Sequence, residues 1–131
     1  MHDIFFKSFE DTLEKDYDEN QSFFQRYRKM WWNIWHSLEQ DPTRVANMGQ
    51  YEFLPGFYTI CKEWETRGIW HRFCKKAAEA GEVCDLPPHL LFALSLQSAL
   101  NIAFKCKHVA HKSSMAMLES VIDRTWRAIQ K

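Results

Sequence analysis

The residues of this chain with the most chemical potential are six histidines and four cysteines. Cys106, His108 and His111 sit close together, and His71 with Cys74 makes an i, i+3 pair that shares one face of a helix. Zinc is held by such side chains. The first group, however, lies among Lys105, Lys107 and Lys112, whose charges repel a cation. Cys61, Cys74, Cys84 and Cys106 form no C-x-x-C pair. Neither metal nor cofactor is expected, and the cysteines read as reduced, mostly buried thiols of a cytosolic protein. Enzymatic signatures are absent as well. The sequence holds no G-x-S-x-G, no H-E-x-x-H, no Glu-x-x-His pair and no glycine-rich phosphate loop, so no enzyme is expected. Arg26, Arg28 and Lys29 read as a solvated basic helix face.

Binding fits the residue types better. Tyr27, Trp31, Trp35, Trp64 and Phe104 are large rigid rings that line a pocket for an apolar or aromatic ligand, or else pack as plain core. Pockets are mostly apolar with a few placed polar groups. Gln97 and Asn101, in an otherwise uncharged stretch, are the polar candidates, with a hydrogen bond across a dimer interface as the alternative role. Cys61 and His71 complete the set, and His71 also reads as a satisfied core residue. A ligand-binding cavity of roughly 300–1,000 Å³ is expected beside Trp31, Trp35 and Trp64.

Something must position these side chains. With 131 residues the chain is one domain, 1–131, long enough to bury a core without staples. Four glycines and four prolines are few, and the apolar residues recur at helical spacing, so the class is all-α. Six helices are read, with boundaries good to a few residues. The first spans about 3–17, with Phe6, Phe9, Leu13 and Tyr17 as a stripe. The second, about 23–39, opens on a Ser22/Gln25 capping pattern and is apolar well past half its circumference. Asp41-Pro42 starts a third at about 42–53. The fourth covers about 57–80, with Gly68 mid-helix and Gly81 as its stop. The fifth, about 88–107, opens on Pro87-Pro88 and is uncharged from Leu90 to Phe104. The sixth, about 114–130, carries Met115, Leu118, Ile122, Trp126 and Ile129 at three-and-four spacing.

Lys+Arg and Asp+Glu both number 17, and zero net charge argues against DNA or RNA binding by these residues alone. Asp3, Lys7, Glu10 and Asp11 interrupt the first apolar stretch, so no secretory leader is expected, and the uncharged run is too short to span a bilayer. The chain is therefore placed in the cytoplasm, away from membranes. The last two helices carry more apolar surface than a chain this size can cover. The economical arrangement is a homodimer in which they pair with a second copy as an intermolecular four-helix bundle.

Three stretches resemble the C-terminal domain of the TetR family, dimeric bacterial repressors with an N-terminal helix-turn-helix. His2-Asp3-Ile4-Phe5-Phe6 is similar to the start of the helix after that family's DNA-reading helix. Glu39-Gln40-Asp41-Pro42-Thr43-Arg44 resembles the junction after its central helix. Lys76-Ala77-Ala78-Glu79-Ala80-Gly81-Glu82-Val83 resembles its Glu-Gly-Glu-Ile/Val helix end, and Leu86-Pro87-Pro88-His89-Leu90-Leu91, which follows, resembles the opening of its dimerisation helix. The resemblance implies a six-helix effector-binding and dimerisation domain sensing a small apolar or aromatic ligand. It implies DNA contact only through a helix-turn-helix segment that this chain does not contain. A free-standing dimeric helical interaction module without a small-molecule ligand is the rival reading, and a helical enzyme with an unrecognised site the third.

Overall fold

The computed structural model describes residues 2–41, 67–108 and 114–131. The described residues form helices α1 (His2–Glu14), α2 (Phe23–Gln40), α3 (Ile69–Glu79), α4 (Pro88–Leu94), α5 (Gln97–His108) and α6 (Met115–Ile129). The all-α class expected from the sequence holds. The helix read at 42–53 and the first part of the one read at 57–80 lie outside the described residues.

Local chemistry sets the boundaries. Ser22 caps α2, its hydroxyl accepting from the Gln25 amide at 3.1 Å, and Ser114 caps α6 through the Met117 amide at 3.2 Å. Helix α1 ends where Asp16 turns left-handed at φ 56, a conformation that Asp tolerates better than most residues. The carbonyls left open there are taken by a side chain of another helix: Asn33 of α2 donates to Lys15 at 2.9 Å and Leu13 at 3.4 Å. Gly81 stops α3 at φ +76, with the Glu82 amide reaching back to Ala77 at 2.9 Å.

Two expectations change. Gly68 is not mid-helix: it adopts an extended conformation at the N-cap of α3. The single helix read at 88–107 is two, broken at Ser95, whose φ −131 and ψ −86 leave the helical region. The serines explain the break. Ser95 Oγ donates to the Leu91 carbonyl and Ser98 Oγ to the Ser95 carbonyl, replacing ladder bonds with side-chain bonds.

Helix α2 is the centre of the fold, packed by α1, α5 and α6, while α3 and α4 close against each other and α4 against α6. Residues 31–35 of α2 are all buried, so the wide apolar surface read from the sequence is covered by protein. The α6 stripe points inward too: Leu118, Ile122, Trp126 and Ile129 are buried in the chain's own core. They are therefore not the partner-facing surface expected above. The chain end is stitched to the α3–α4 link, with the Cys84 amide donating to Ile129 at 2.8 Å and Val83 bridging Gln130.

Candidate functional site

Helix α2 projects Tyr27, Trp31 and Trp35 along one face, one turn apart. Trp31 and Trp35 stack at 5.7 Å between ring centres, and Trp32 meets Trp31 edge-on at 5.3 Å. Tyr27 packs against Trp126 of α6 at 5.3 Å and Trp70 of α3 at 6.4 Å. Phe73 stacks on Trp70 at 5.3 Å. Aromatic rings of α2, α3 and α6 thus meet in one cluster.

The polar ends of these rings are matched within the chain. Trp31 Nε1 donates to Ser98 Oγ at 2.9 Å, pinning the central ring to the start of α5. Tyr27 Oη pairs with Thr125 Oγ1 at 2.6 Å, and burial pushes its phenol well above the ordinary value. Trp70 Nε1 donates to the Pro88 carbonyl at 2.9 Å. Tyr27, Trp31 and Trp70 thus have their hydrogen bonds made within the chain.

Of the residues singled out from the sequence, Tyr27, Trp31 and Trp35 come together and are buried. Gln97 is half-buried beside Ser98, and Asn101 is exposed on α5. Cys61 and Trp64 lie outside the described residues, as does the side chain of Phe104. His71 lines an open groove of about 550 Å³ between α3 and residues 85–88, together with Cys74. Cys106, as a side chain, and His111 fall outside the described residues, and among the described residues no group of three possible ligands could hold a metal ion.

The basic cluster on α2 is a correction to the sequence reading. Arg28 makes a two-pronged bond to Glu119 of α6, one prong at 3.0 Å, and Trp32 Nε1 donates to the same carboxylate at 2.9 Å. The Arg28 bonds, helped by Trp32, hold the Glu119 carboxyl below its ordinary range. Arg26 is buried, lying 4.2 Å over the Phe23 ring, with Nε donating to the Gln21 carbonyl at 2.9 Å. Only Lys29, 3.8 Å from an exposed Asp16, resembles the solvated face expected. Glu119 went unnoticed in the sequence because it lies on the polar side of the α6 stripe, and nothing local marks it as a partner of α2. Ser98 was missed likewise. Its one signal is its place in an uncharged run, which it shares with Ser95 and Gln97.

Comparison with known proteins adds a second line of evidence. Residues 22–130 match the family model described as Tetracyclin repressor-like, C-terminal domain. A Haemophilus influenzae protein described as an uncharacterised HTH-type transcriptional regulator is 47% identical over 126 residues, covering 96% of this chain and 67% of that protein. The crystal structure of a TetR-family transcriptional regulator from H. influenzae superposes with a TM-score of 0.92 at 45% identity, covering 99% of this chain and 69% of that one. A TetR-family protein from Vibrio parahaemolyticus shares the fold at a TM-score of 0.78 and 23% identity, over 95% of this chain and 69% of that one.

Proposed function

The chain belongs to the TetR family of transcriptional regulators, matched in that family's C-terminal domain, and we propose that it is the effector-binding and dimerisation part of such a regulator. The family and the relatives are regulators rather than enzymes. The observation that carries the proposal is the buried aromatic centre of α2, where Trp31 and Trp35 stack at the core of a match covering nearly the whole chain. A small apolar or aromatic molecule enters beside these rings. Tyr27, Trp31 and Trp35 form its apolar wall, and Gln97, next to the Ser98 that bonds Trp31, is the polar group assigned to it. Cys61, Trp64, Asn101 and Phe104 remain candidates on the sequence argument, whereas His71 lines the groove between α3 and residues 85–88.

Dimerisation uses a surface different from the α6 stripe. Leu90 and Leu94 are 44% and 47% exposed, one turn apart on α4, while Met115 and Met117 at the start of α6 are 68% and 54% exposed. A second copy covers this row. In this reading DNA contact belongs to a helix-turn-helix outside these residues, consistent with a net charge of zero, and the protein works in the cytoplasm. No helix among the described residues is long and apolar enough to cross a membrane.

Titration with indole or naphthalene tests the ligand claim. Tryptophan fluorescence should shift saturably and Tm should rise through linkage. If a broad set of such aromatics leaves both unchanged, the effector reading fails and the dimeric interaction module takes its place.

A further inference from the structure

We propose that a second small-molecule site lies outside the aromatic core, in the groove between α3 and residues 85–88, and that its ligand is a free α-amino acid with an apolar side chain. The proposal is independent of the core effector, because it rests on a different set of walls.

The groove holds about 550 Å³, ample for one amino acid. Its apolar surface comes from Ala78 on α3 facing Leu86, Pro87 and Pro88. Trp70 fixes that second wall through its 2.9 Å bond to the Pro88 carbonyl, so the proline pair is held rather than loose. Flat proline rings and a leucine make a surface suited to an aliphatic or aromatic side chain.

Both signs of charge stand at the same groove. Lys75 and Glu79 are one turn apart on α3, and Asp85 lies across from them. Lysine and glutamate at this spacing often pair, yet no ion pair joins Lys75, Glu79 or Asp85 to one another. All three are exposed and able to turn to a ligand. A purely cationic molecule would meet Lys75 unfavourably, and a purely anionic one would meet two carboxylates. A zwitterion satisfies the whole set, its ammonium to Glu79 and Asp85 and its carboxylate to Lys75.

His71 supplies the remaining group. Its Nδ1 is buried without a hydrogen-bond partner. The ring lines the groove beside Cys74 and Lys75. In this proposal the other ring nitrogen, Nε2, is the one that meets a carboxylate oxygen of the ligand. The groove thus offers a partner to each charge of an amino acid, with the Glu79 and Asp85 carboxylates sharing its ammonium.

The experiment titrates the protein, carrying nitrogen-labelled histidine, with L-phenylalanine, phenethylamine and hydrocinnamate while the His71 ring is followed by NMR. The two half-molecules share the phenyl body and carry one charge each. L-phenylalanine should give a saturable His71 shift, and each half-molecule should bind at least about tenfold more weakly. The exposed double change Glu79→Gln with Asp85→Asn should keep the circular dichroism spectrum and lose most of the phenylalanine affinity. No saturable shift with L-phenylalanine, equal binding by either half-molecule, or unchanged affinity in the folded double variant would each overturn the proposal. Indole acting on the core tryptophans does not enter into any of these outcomes.

Discussion

Glu119 carries the largest share of side-chain hydrogen bonding between α2 and α6, taking Arg28 and Trp32 at once. Arg28 and Glu119 are 41% and 33% exposed, so solvent screens the pair and its contribution is about 1 kcal/mol. Glu119→Ala should cost somewhat more, about 1–2 kcal/mol, because Trp32 Nε1 also loses its acceptor. The sign of the pH dependence follows from the shift. The carboxyl sits below the ordinary value of 4.5 in the folded chain, chiefly through the Arg28 bond. Its stabilisation is complete above that value and fades as pH falls through the folded pKa. Urea melts at neutral pH and near pH 3 should show the gap between wild type and Glu119→Gln narrowing in acid. Tyr27→Phe is the neutral counterpart. It removes one buried bond while Thr125 keeps its bond to the Val121 carbonyl at 2.8 Å, so a loss of about 1 kcal/mol, independent of pH, is expected in the same melts.

The serine break between α4 and α5 shows how a helix is ended without proline or glycine. Ser95 is fully buried, and its hydroxyl and carbonyl are both engaged by side-chain bonds. The break turns Ser98 toward Trp31 and leaves Leu90 and Leu94 outside while Leu91 and Leu96 go inside. One helix face therefore does not continue into the next. Ala99 sits at 0% exposure within the chain's own core, so Ala99→Glu should unfold the protein rather than merely separate two copies, since a buried unpaired charge costs several kcal/mol. Loss of the far-ultraviolet helical signal in this variant is the measurement; a folded monomer would contradict it. Another inter-element bond caps α3, where Gly68 offers no side chain and Glu10 of α1 accepts from the Ile69 amide at 2.8 Å. Burial raises the Glu10 carboxyl, opposed by that bond and by Arg72.

At the scale of the whole molecule, an apolar row along α4 and the start of α6 stands exposed among the described residues. Sedimentation at micromolar concentration should give twice 15.7 kDa. Leu90→Glu with Leu94→Glu should yield a folded monomer, because both side chains are nearly half exposed in the single chain. A clean monomer in the unaltered protein would remove the interface. The effector test needs equal care with folding. Trp31→Ala would delete a fully buried ring at about 3–5 kcal/mol, so Trp31→Phe is the better probe. It should weaken the response to indole more than Lys15→Ala at the surface. A gel shift at low salt should show no sequence-dependent DNA binding by these residues, whose charges balance.

Sequence alone was enough for the all-α class, the family and most helix ends, since these depend on local features. Ser22 and Ser114 cap through amides three residues on, Gly81 reverses the backbone where few other residues can, and α2 shows its burial in the count of its apolar positions. The Trp31 and Trp35 stack was foreseeable for the same reason, being one turn apart on one helix. What required the tertiary structure was every statement about which side faces which neighbour. The Leu118, Ile122, Trp126 and Ile129 stripe announces burial but not whether its own chain or a second copy does the burying. His71 looks like an inner-face residue by spacing, yet it borders a groove made by residues 85–88, which the chain returns to only after the Gly81 turn. Arg28 and Glu119 are 91 positions apart, and periodicity within either helix carries no information about the other. Pattern reports the face of a helix; only packing in three dimensions assigns that face a partner.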